Sequence, residues 1–151
     1  MNFTPKFESP TMEAEHKYEP VTNYMATNLI TVKPDDEIGE VILKLNEHKI
    51  SGAPVLNERK ELIGIIAEQD CLRVVIDSAY HNQPISKQLV KDYMHKDLVT
   101  VSVDADVVEV ANMFLKHHFG RFPVVKDGIL KGQVSKRDIL RAALKVKFTT
   151  W

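Results

Sequence analysis

The sequence has little cysteine, no long apolar run and almost no net charge, and each of these properties excludes a class of protein. Cys71 is the only cysteine among 151 residues, so no disulfide can form within the chain and we expect a cytoplasmic protein. No stretch approaches the ~18 consecutive apolar residues of a membrane-spanning helix, so we expect no membrane insertion. A formal net charge of −1 argues against a nucleic-acid-binding protein, which would carry an excess of basic residues.

Recognisable metal-binding and catalytic motifs are also absent from the sequence. The six histidines include no His-x-x-x-His pair, and a single cysteine excludes a Cys-x-x-Cys motif, so we expect no metal site. No nucleophile with a base and an orienting group can be named, so we predict that the protein is not an enzyme. Cys71 lies at the start of a predicted helix, where a thiolate is favoured, but we expect it to be a small packed residue.

What the sequence does have is an internal repeat with an offset of 69 residues. Residues 21–56 and 90–125 are identical at twelve of 36 positions, where ordinary amino-acid usage would give about two. Beyond them the offset is 68, because one residue is missing from a surface turn, where an indel is tolerated. Each copy has about 50 residues, a size at which a separate domain is only marginally stable. We therefore expect the copies to share apolar surface as a pseudo-twofold pair with a cleft between them.

Each copy shows the same order of predicted elements, β-α-β-β-α, and the fold class is therefore α+β. Alternating apolar residues predict first strands at 29–32 and 98–103, and Asp35 and Asp104 are the predicted caps of the helices that follow. Two short strands joined by a tight turn come next, and Asp127-Gly128 is a strong signal for a hairpin in the second copy. A closing helix completes each copy.

The repeat divides the chain into five segments. The first twenty residues contain three prolines among polar residues, which predicts a flexible arm, and they lack the layout of a signal peptide. The predicted segments are a flexible N-terminal arm (1–20), a first repeat (21–80), a linker (81–89), a second repeat (90–147) and a C-terminal tail (148–151).

The ordered motifs of each copy resemble the CBS domain, and their duplication resembles the CBS pair called a Bateman module. The likeness is carried by Tyr-Met before the first strand, by a Thr-Val strand, and by Ile-Ser-Gly-Ala-Pro-Val at 50–55. It is completed by Gly-Ile-Ile-Ala-Glu-Gln-Asp at 64–70 and Gly-Gln-Val-Ser-Lys-Arg-Asp at 132–138. The resemblance runs from about Val21 to Arg141. No single motif is specific, but the ordered set found twice is.

The resemblance implies a regulatory module, expected to stand alone, that binds an adenosyl ligand in the cleft between the repeats. AMP is the first candidate, followed by ADP, ATP, S-adenosylmethionine and NAD-type molecules, and no cofactor is required. The module would signal by a conformational change to an unidentified regulated protein, and a homodimer is expected. The alternative is a ligand-free dimerisation or interaction scaffold, which Ala67 favours because it replaces a Ser or Thr of the ligand motif.

Within the resemblance, the ligand motif Gly-x-x-[Ser/Thr]-x-x-Asp is complete only in the second copy, as Gly132, Ser135 and Asp138. The Asp138 carboxylate can accept hydrogen bonds from both ribose hydroxyls, and Ser135 at a helix N-terminus suits a phosphate. The same spacing fits a plain helix cap made by Ser135, and the two roles can coexist. In the first copy Asp70 remains without the Ser or Thr, which predicts a second, weaker site.

Pseudo-twofold packing implies that the cleft at Asp138 borrows its base-facing wall from the first copy. Two of the wall residues, Ile30 and Ile50, fit an ordinary core equally well. Arg121, a predicted phosphate contact, fits a surface ion pair equally well, and Arg137 at the start of the closing helix hints at an anionic ligand. The predicted wall residues are Asn28, Ile30, Ile50, Ser51 and Gly52.

Overall fold

The computed structural model describes residues 18–146, so most of the predicted arm and the whole predicted tail lie outside the described residues. The helices are α1 (Ile38–His48), α2 (Glu68–His81), α3 (Val107–Lys116) and α4 (Lys136–Val146). The strands are β1 (Gly52–Leu56), β2 (Leu62–Ala67), β3 (Val101–Ser102), β4 (Arg121–Lys126) and β5 (Ile129–Ser135). Short 3-10 turns cover Val21–Asn23, Ile85–Lys87 and Val90–Asp92. No helix in this part of the chain is long and apolar enough to cross a membrane.

The strands form two small sheets, one in each copy, and the predicted α+β class is confirmed. In the first copy β1 pairs with β2 in antiparallel fashion. In the second copy β3 is parallel to β4, which is antiparallel to β5. The first strands are shorter than predicted: the one expected at 29–32 is reduced to a parallel bridge between Val32 and Val55, which matches the pairing of Val101 with Val124 in the second copy.

The turn between β4 and β5 is the predicted hairpin turn. Asp127 has a φ of 52° and Gly128 a φ of 81°, the two successive positive values that a tight two-residue hairpin requires. The corresponding turn of the first copy is longer. There the Asn57 side chain accepts hydrogen bonds from the backbone N–H groups of Arg59 and Glu61. The two turns therefore differ in their hydrogen bonds and in their length. The first-copy turn is one residue longer, which explains why the repeat offset changes from 69 to 68 at this point.

Both predicted helix caps, Asp35 and Asp104, are wrong by two residues. The backbone N–H of Asp104 donates to Ser102 Oγ, so the chain is still turning at that point. The cap of α3 is Asp106, whose carboxylate accepts hydrogen bonds from the N–H groups of Val108 and Glu109, both at 2.9 Å. In the first copy α1 begins after Glu37, whose side chain makes no capping bond.

Each copy lends its opening segment to the core of the other copy. Val90 lies in the core formed by α1, β1, β2 and α2, whereas Val21 lies in the core of the second copy. Two backbone bridges hold these exchanged segments in place. His95 exchanges hydrogen bonds with Ile65 on β2 at 2.8 and 3.0 Å, and Ala26 exchanges them with Gln133 on β5 at 2.8 and 2.9 Å.

Glycines at the crossing points allow this exchange. A Cβ at Gly132 would lie 2.5 Å from Met25 Sδ and 2.8 Å from the carbonyl oxygen of Ala26. A Cβ at Gly64 would lie 2.6 Å from Met94 Sδ and 2.9 Å from the carbonyl oxygen of His95. Real Cβ atoms do not approach other atoms so closely. The first position of the ligand motif is therefore glycine in both copies because another segment of backbone packs on it.

Candidate functional site

Ser135 and Asp138 form a reciprocal cap at the start of α4. The backbone N–H of Asp138 donates to Ser135 Oγ at 3.1 Å, and the N–H of Ser135 donates to the Asp138 carboxylate at 2.9 Å. The prediction that Ser135 caps this helix is confirmed. Arg141 also donates to Asp138 at 3.0 Å and to the carbonyl oxygen of Tyr24 at 3.2 Å, which ties the exchanged segment to α4. The Asp138 side chain keeps 19% of its surface exposed.

The other residues predicted to bind ligand near Asp138 are spread over several environments. Ile50 is half-buried and packs against the first core, as its alternative interpretation predicts. Ile30 is also half-buried, whereas Asn28 is exposed. Arg137 lies exposed in the first turn of α4. Whether these side chains form a ligand site with Asp138 stays a prediction.

A cavity of about 350 Å³ lies between the two copies, within the size range of small-molecule sites. Three predicted site residues, Ser51, Gly52 and Arg121, line it. The lining also includes Ala67 from the end of β2, and segments of the second copy on either side of α3. Because both copies contribute to its walls, the cavity is where a bound molecule would contact both.

This cavity is the pseudo-twofold mate of the predicted cleft. The first-copy positions Asn28, Ile30 and Ile50 were predicted for the cleft at Asp138. The repeat offset of 69 carries these positions to Asp97, Val99 and Phe119, and all three line the cavity.

The predicted residues at the start of the closing helix also have counterparts in the wall of this cavity, at the repeat offset of 68. Ser135 corresponds to Ala67 and Arg137 to Gln69, and both of these residues line it. The residues that sequence reasoning missed, above all Asp97 and Phe119, carry no motif of their own. Applying the repeat offset to the predicted site is the signal that would have found them.

Asp70, the predicted anchor of the weaker site, is occupied by protein groups. Its side chain has no exposed surface. It accepts hydrogen bonds from the backbone N–H of Ala67 at 2.8 Å and from Arg73 at 2.6 Å, and His95 Nδ1 lies at 2.9 Å. The pseudo-equivalent of His95 in the first copy is Ala26, which lies beside the closing helix of the second copy through the exchange of segments. The two carboxylates therefore differ: Asp138 is partly open, whereas His95 closes off Asp70.

Arg121 and Phe119 give the cavity one cationic and one aromatic wall. No carboxylate among residues 18–146 is paired with the Arg121 guanidinium, and the side chain is exposed at the start of β4. Phe119 is 47% exposed, and its ring packs edge-on against Phe122 with the centroids 6.1 Å apart. A flat apolar face beside a free guanidinium suits a molecule with a planar ring and an anionic group.

Cys71 packs in the core of the first copy, as predicted. Burial raises the pKa of the Cys71 thiol, and the neighbouring carboxylates of Asp70 and Glu68 act in the same direction. The thiolate is therefore disfavoured and the residue is chemically quiet. Within the described range no group of three or more His, Cys, Asp or Glu side chains is arranged to hold a metal ion.

Fold and cavity together define a tandem of β-α-β-β-α units that exchange their opening segments and enclose a site between them. The CBS domain matches residues 21–77 and 90–145. Since these two matches cover well over half of the sequence, the chain belongs to the CBS domain family.

Individual relatives extend this comparison. MJ1225 of Methanocaldococcus jannaschii is 30% identical over 123 residues, which are 82% of this chain and 42% of that protein. Inosine-5'-monophosphate dehydrogenase of Aquifex aeolicus is 33% identical over 118 residues, 78% of this chain and 23% of that enzyme. CBSX2, solved in complex with AMP, superimposes with a TM-score of 0.73 at 29% identity, over 86% of this chain and 99% of the other. The chain thus spans less than half of the first two relatives.

Proposed function

We propose that this chain is a regulatory module that binds an adenine nucleotide between its two CBS repeats and does not turn it over. The observation that carries the proposal is the cavity of about 350 Å³, with the Phe119 ring and the Arg121 guanidinium in its wall. CBSX2, which binds AMP and shares 29% identity, supports the ligand class and makes AMP the first candidate, before ADP and ATP. Thermal-shift titration with AMP tests the function, because ligand at about a hundred times its Kd adds roughly 2.7 kcal/mol of stability.

The lining residues have distinct roles in this proposal. The adenine ring packs against the flat ring of Phe119 and the apolar side chain of Val99. The Asp97 carboxylate accepts a hydrogen bond from the exocyclic amino group of adenine, which guanine lacks at that position. Arg121 binds the phosphate through its forked N–H groups. Gly52 and Ser51 leave room for the ligand, because neither carries a bulky side chain.

The cleft at Asp138 is the second proposed position for the nucleotide. Its carboxylate is partly exposed, but it already accepts hydrogen bonds from Ser135 and Arg141. Ribose hydroxyls would add to these bonds or replace the one from Arg141, whose side chain is 55% exposed. The predicted contacts of this cleft are Asn28, Ile30, Ile50, Ser51, Gly52, Arg121, Arg137 and Ser135.

Replacing Arg121 by methionine should weaken AMP binding about tenfold and leave adenosine binding nearly unchanged. Methionine keeps much of the side-chain length but removes the charge, and a hydrogen bond to a charged group contributes about 1.5–3 kcal/mol. Isothermal titration calorimetry with both ligands measures the effect. Arg137→Met is the matched control, because Arg137 does not line the cavity. A larger loss with the control than with Arg121→Met would move the phosphate to the Asp138 cleft.

Signalling in this proposal uses the fact that the cavity walls come from both copies. A ligand that binds one relative position of the copies better than another shifts their equilibrium by that difference in affinity. A regulated protein then recognises the changed shape.

Nucleotide that is incubated with the protein for a long time should remain unchanged, because the proposed module binds without turnover. Chromatography of the nucleotide measures this, and more moles of product than of protein would instead identify an enzyme.

A homodimer is the proposed assembly, since pseudo-equivalent apolar side chains are exposed on α2 and α4. Leu72 is 63% exposed and Leu140, its counterpart, is 68% exposed. Ile76 and Leu144 repeat the pattern one turn later. Single exposed apolar residues are ordinary, but two matched pairs suit a twofold interface.

The double variant Leu72→Glu, Leu140→Glu should therefore be monomeric, because each interface would contain repelling and desolvated carboxylates. Light scattering coupled to size-exclusion chromatography measures the mass. The control is Leu115→Glu, at an exposed position on α3 outside the matched pairs. A wild-type mass of one chain at high protein concentration would contradict the dimer.

A ligand-free scaffold remains the second candidate function, and one observation favours it. The Asp70 carboxylate is fully occupied by protein groups, and Ala67 lacks the hydroxyl of the motif. A scaffold would show no thermal shift with AMP, ADP, ATP, NAD or S-adenosylmethionine. A shift with any of them would eliminate this candidate.

A further inference from the structure

His95 gives the cavity a polar group that the other cleft lacks. It is one of the lining residues, and its pseudo-equivalent in the first copy is Ala26. The backbone of His95 is fixed by two hydrogen bonds to Ile65, so its position does not depend on the side chain. The imidazole is therefore present in this cavity and has no counterpart at the equivalent position of the other repeat.

The hydrogen-bonding state of the ring follows from its partner. Nδ1 lies 2.9 Å from the Asp70 carboxylate, which can only accept hydrogen bonds, so Nδ1 carries a hydrogen. Asp70 is fully buried while 47% of the His95 side chain is exposed, so the exposed surface belongs to the rest of the ring. The remaining nitrogen, Nε2, is an acceptor in the neutral ring and becomes a donor on protonation.

The charges around the ring determine what protonation does to the cavity. On α2 the Asp70 carboxylate is matched by the Arg73 guanidinium. Among the lining residues Asp97 is negative and Arg121 is positive, so these two also balance. A proton on His95 therefore leaves the cavity surface with one uncompensated positive charge. Because acidic pH favours the protonated form of an imidazole, this charge depends on pH.

We propose that His95, held by Asp70, is an anion-recognition group that makes the cavity select phosphorylated nucleotides over nucleosides at acidic pH. The proposal rests on the proposed function and adds the source and the pH dependence of the selectivity. In its protonated form Nε2–H donates to the ligand phosphate alongside Arg121. In its neutral form Nε2 has a lone pair and cannot donate to the phosphate. The selectivity for nucleotides over nucleosides then depends on Arg121 alone.

Two variants isolate the charge from the fold. His95→Asn retains an amide N–H that can donate to Asp70 but cannot be protonated. His95→Ala introduces the residue that the first copy has at the equivalent position, 26. His117, whose ring stacks on Phe119 with the centroids 6.1 Å apart, is a second imidazole near the cavity and is retained in both variants.

The experiment measures the affinities of AMP and adenosine by calorimetry at pH 5.5 and pH 8.5, for wild type and both variants. AMP itself loses its second phosphate proton near pH 6, so proteins are compared with each other at each pH. At pH 5.5 the AMP-to-adenosine affinity ratio of the wild type should exceed that of His95→Asn and His95→Ala about tenfold. At pH 8.5 the three ratios should agree.

Each other outcome has a definite meaning. Equal ratios at both pH values, with AMP still bound, would overturn the role of His95 and leave the proposed function standing. A variant that loses adenosine and AMP binding equally would show a purely positional role and would also overturn it. An absence of binding by either ligand to the wild type would overturn the proposed function, and this inference with it.

Discussion

Replacing Asp70 by alanine should lower the free energy of unfolding by about 3 kcal/mol, although the resemblance to CBS domains assigns this residue to ligand binding. The carboxylate is buried and satisfies the backbone N–H of Ala67 together with Arg73 and His95. Its removal leaves the N–H at the start of α2 and His95 Nδ1 without an acceptor, and the Arg73 guanidinium without its anion. Chemical denaturation measured in the absence of nucleotide gives the value.

Two variants serve as controls for Asp70→Ala. Asp70→Asn preserves the shape and an acceptor for Ala67, so it should cost about half as much. Asp138→Ala should cost about 1 kcal/mol, because Asp138 is partly exposed and has no counterpart of His95. Equal losses for Asp70→Ala and Asp138→Ala would show that the two carboxylates are equivalent, contrary to the structure.

Replacing Gly132 by alanine should cost about 2–3 kcal/mol, because the new methyl group meets the backbone of the exchanged segment. The contact with Met25 Sδ can be relieved by a rotamer change, but the carbonyl oxygen of Ala26 cannot move without breaking its bond to Gln133. Overpacking of this kind typically costs 1–3 kcal/mol. Thermal or urea denaturation measures the loss.

Gly120→Ala is the matched control, since no atom lies within 4 Å of its added Cβ. It should change the stability by less than about 0.5 kcal/mol. If Gly132→Ala were as stable as Gly120→Ala and had lost only ligand binding, the glycine would belong to the ligand site and not to the exchange of segments.

Much of the fold could be predicted because the same order of strand and helix signals occurs in both copies of the repeat. The hairpin at Asp127-Gly128 and the order of elements follow from local signals that tertiary contacts do not override. The exchange of opening segments could not be predicted in this way. Residues Val21 and Val90 are identical in the two copies, so nothing in the alignment tells which core each one enters.

The candidate site was predicted as a set of positions. Ser51, Gly52 and Arg121 of this set line the cavity, whose other walls include the pseudo-twofold counterparts of the remaining predicted residues. A duplicated sequence offers two such sets, and the intact motif at Ser135 favoured one of them. What distinguishes the clefts is a pair of residues outside the motif, His95 and Ala26, whose contacts with the closing helices depend on the exchange. The spacing of residues along the chain does not indicate that His95 contacts the closing helix of the first copy.

Chemical-shift mapping of AMP on isotopically labelled protein tests the central claim most directly, because it reports both binding and location. Binding between the repeats at the cavity predicts that the largest perturbations are those of the backbone amides of Ser51, Gly52, Val99, Phe119 and Arg121. Perturbations centred on Ile30, Ser135 and Asp138 would place the nucleotide in the other cleft. A spectrum that AMP leaves unchanged at millimolar concentration would contradict nucleotide binding by this chain altogether.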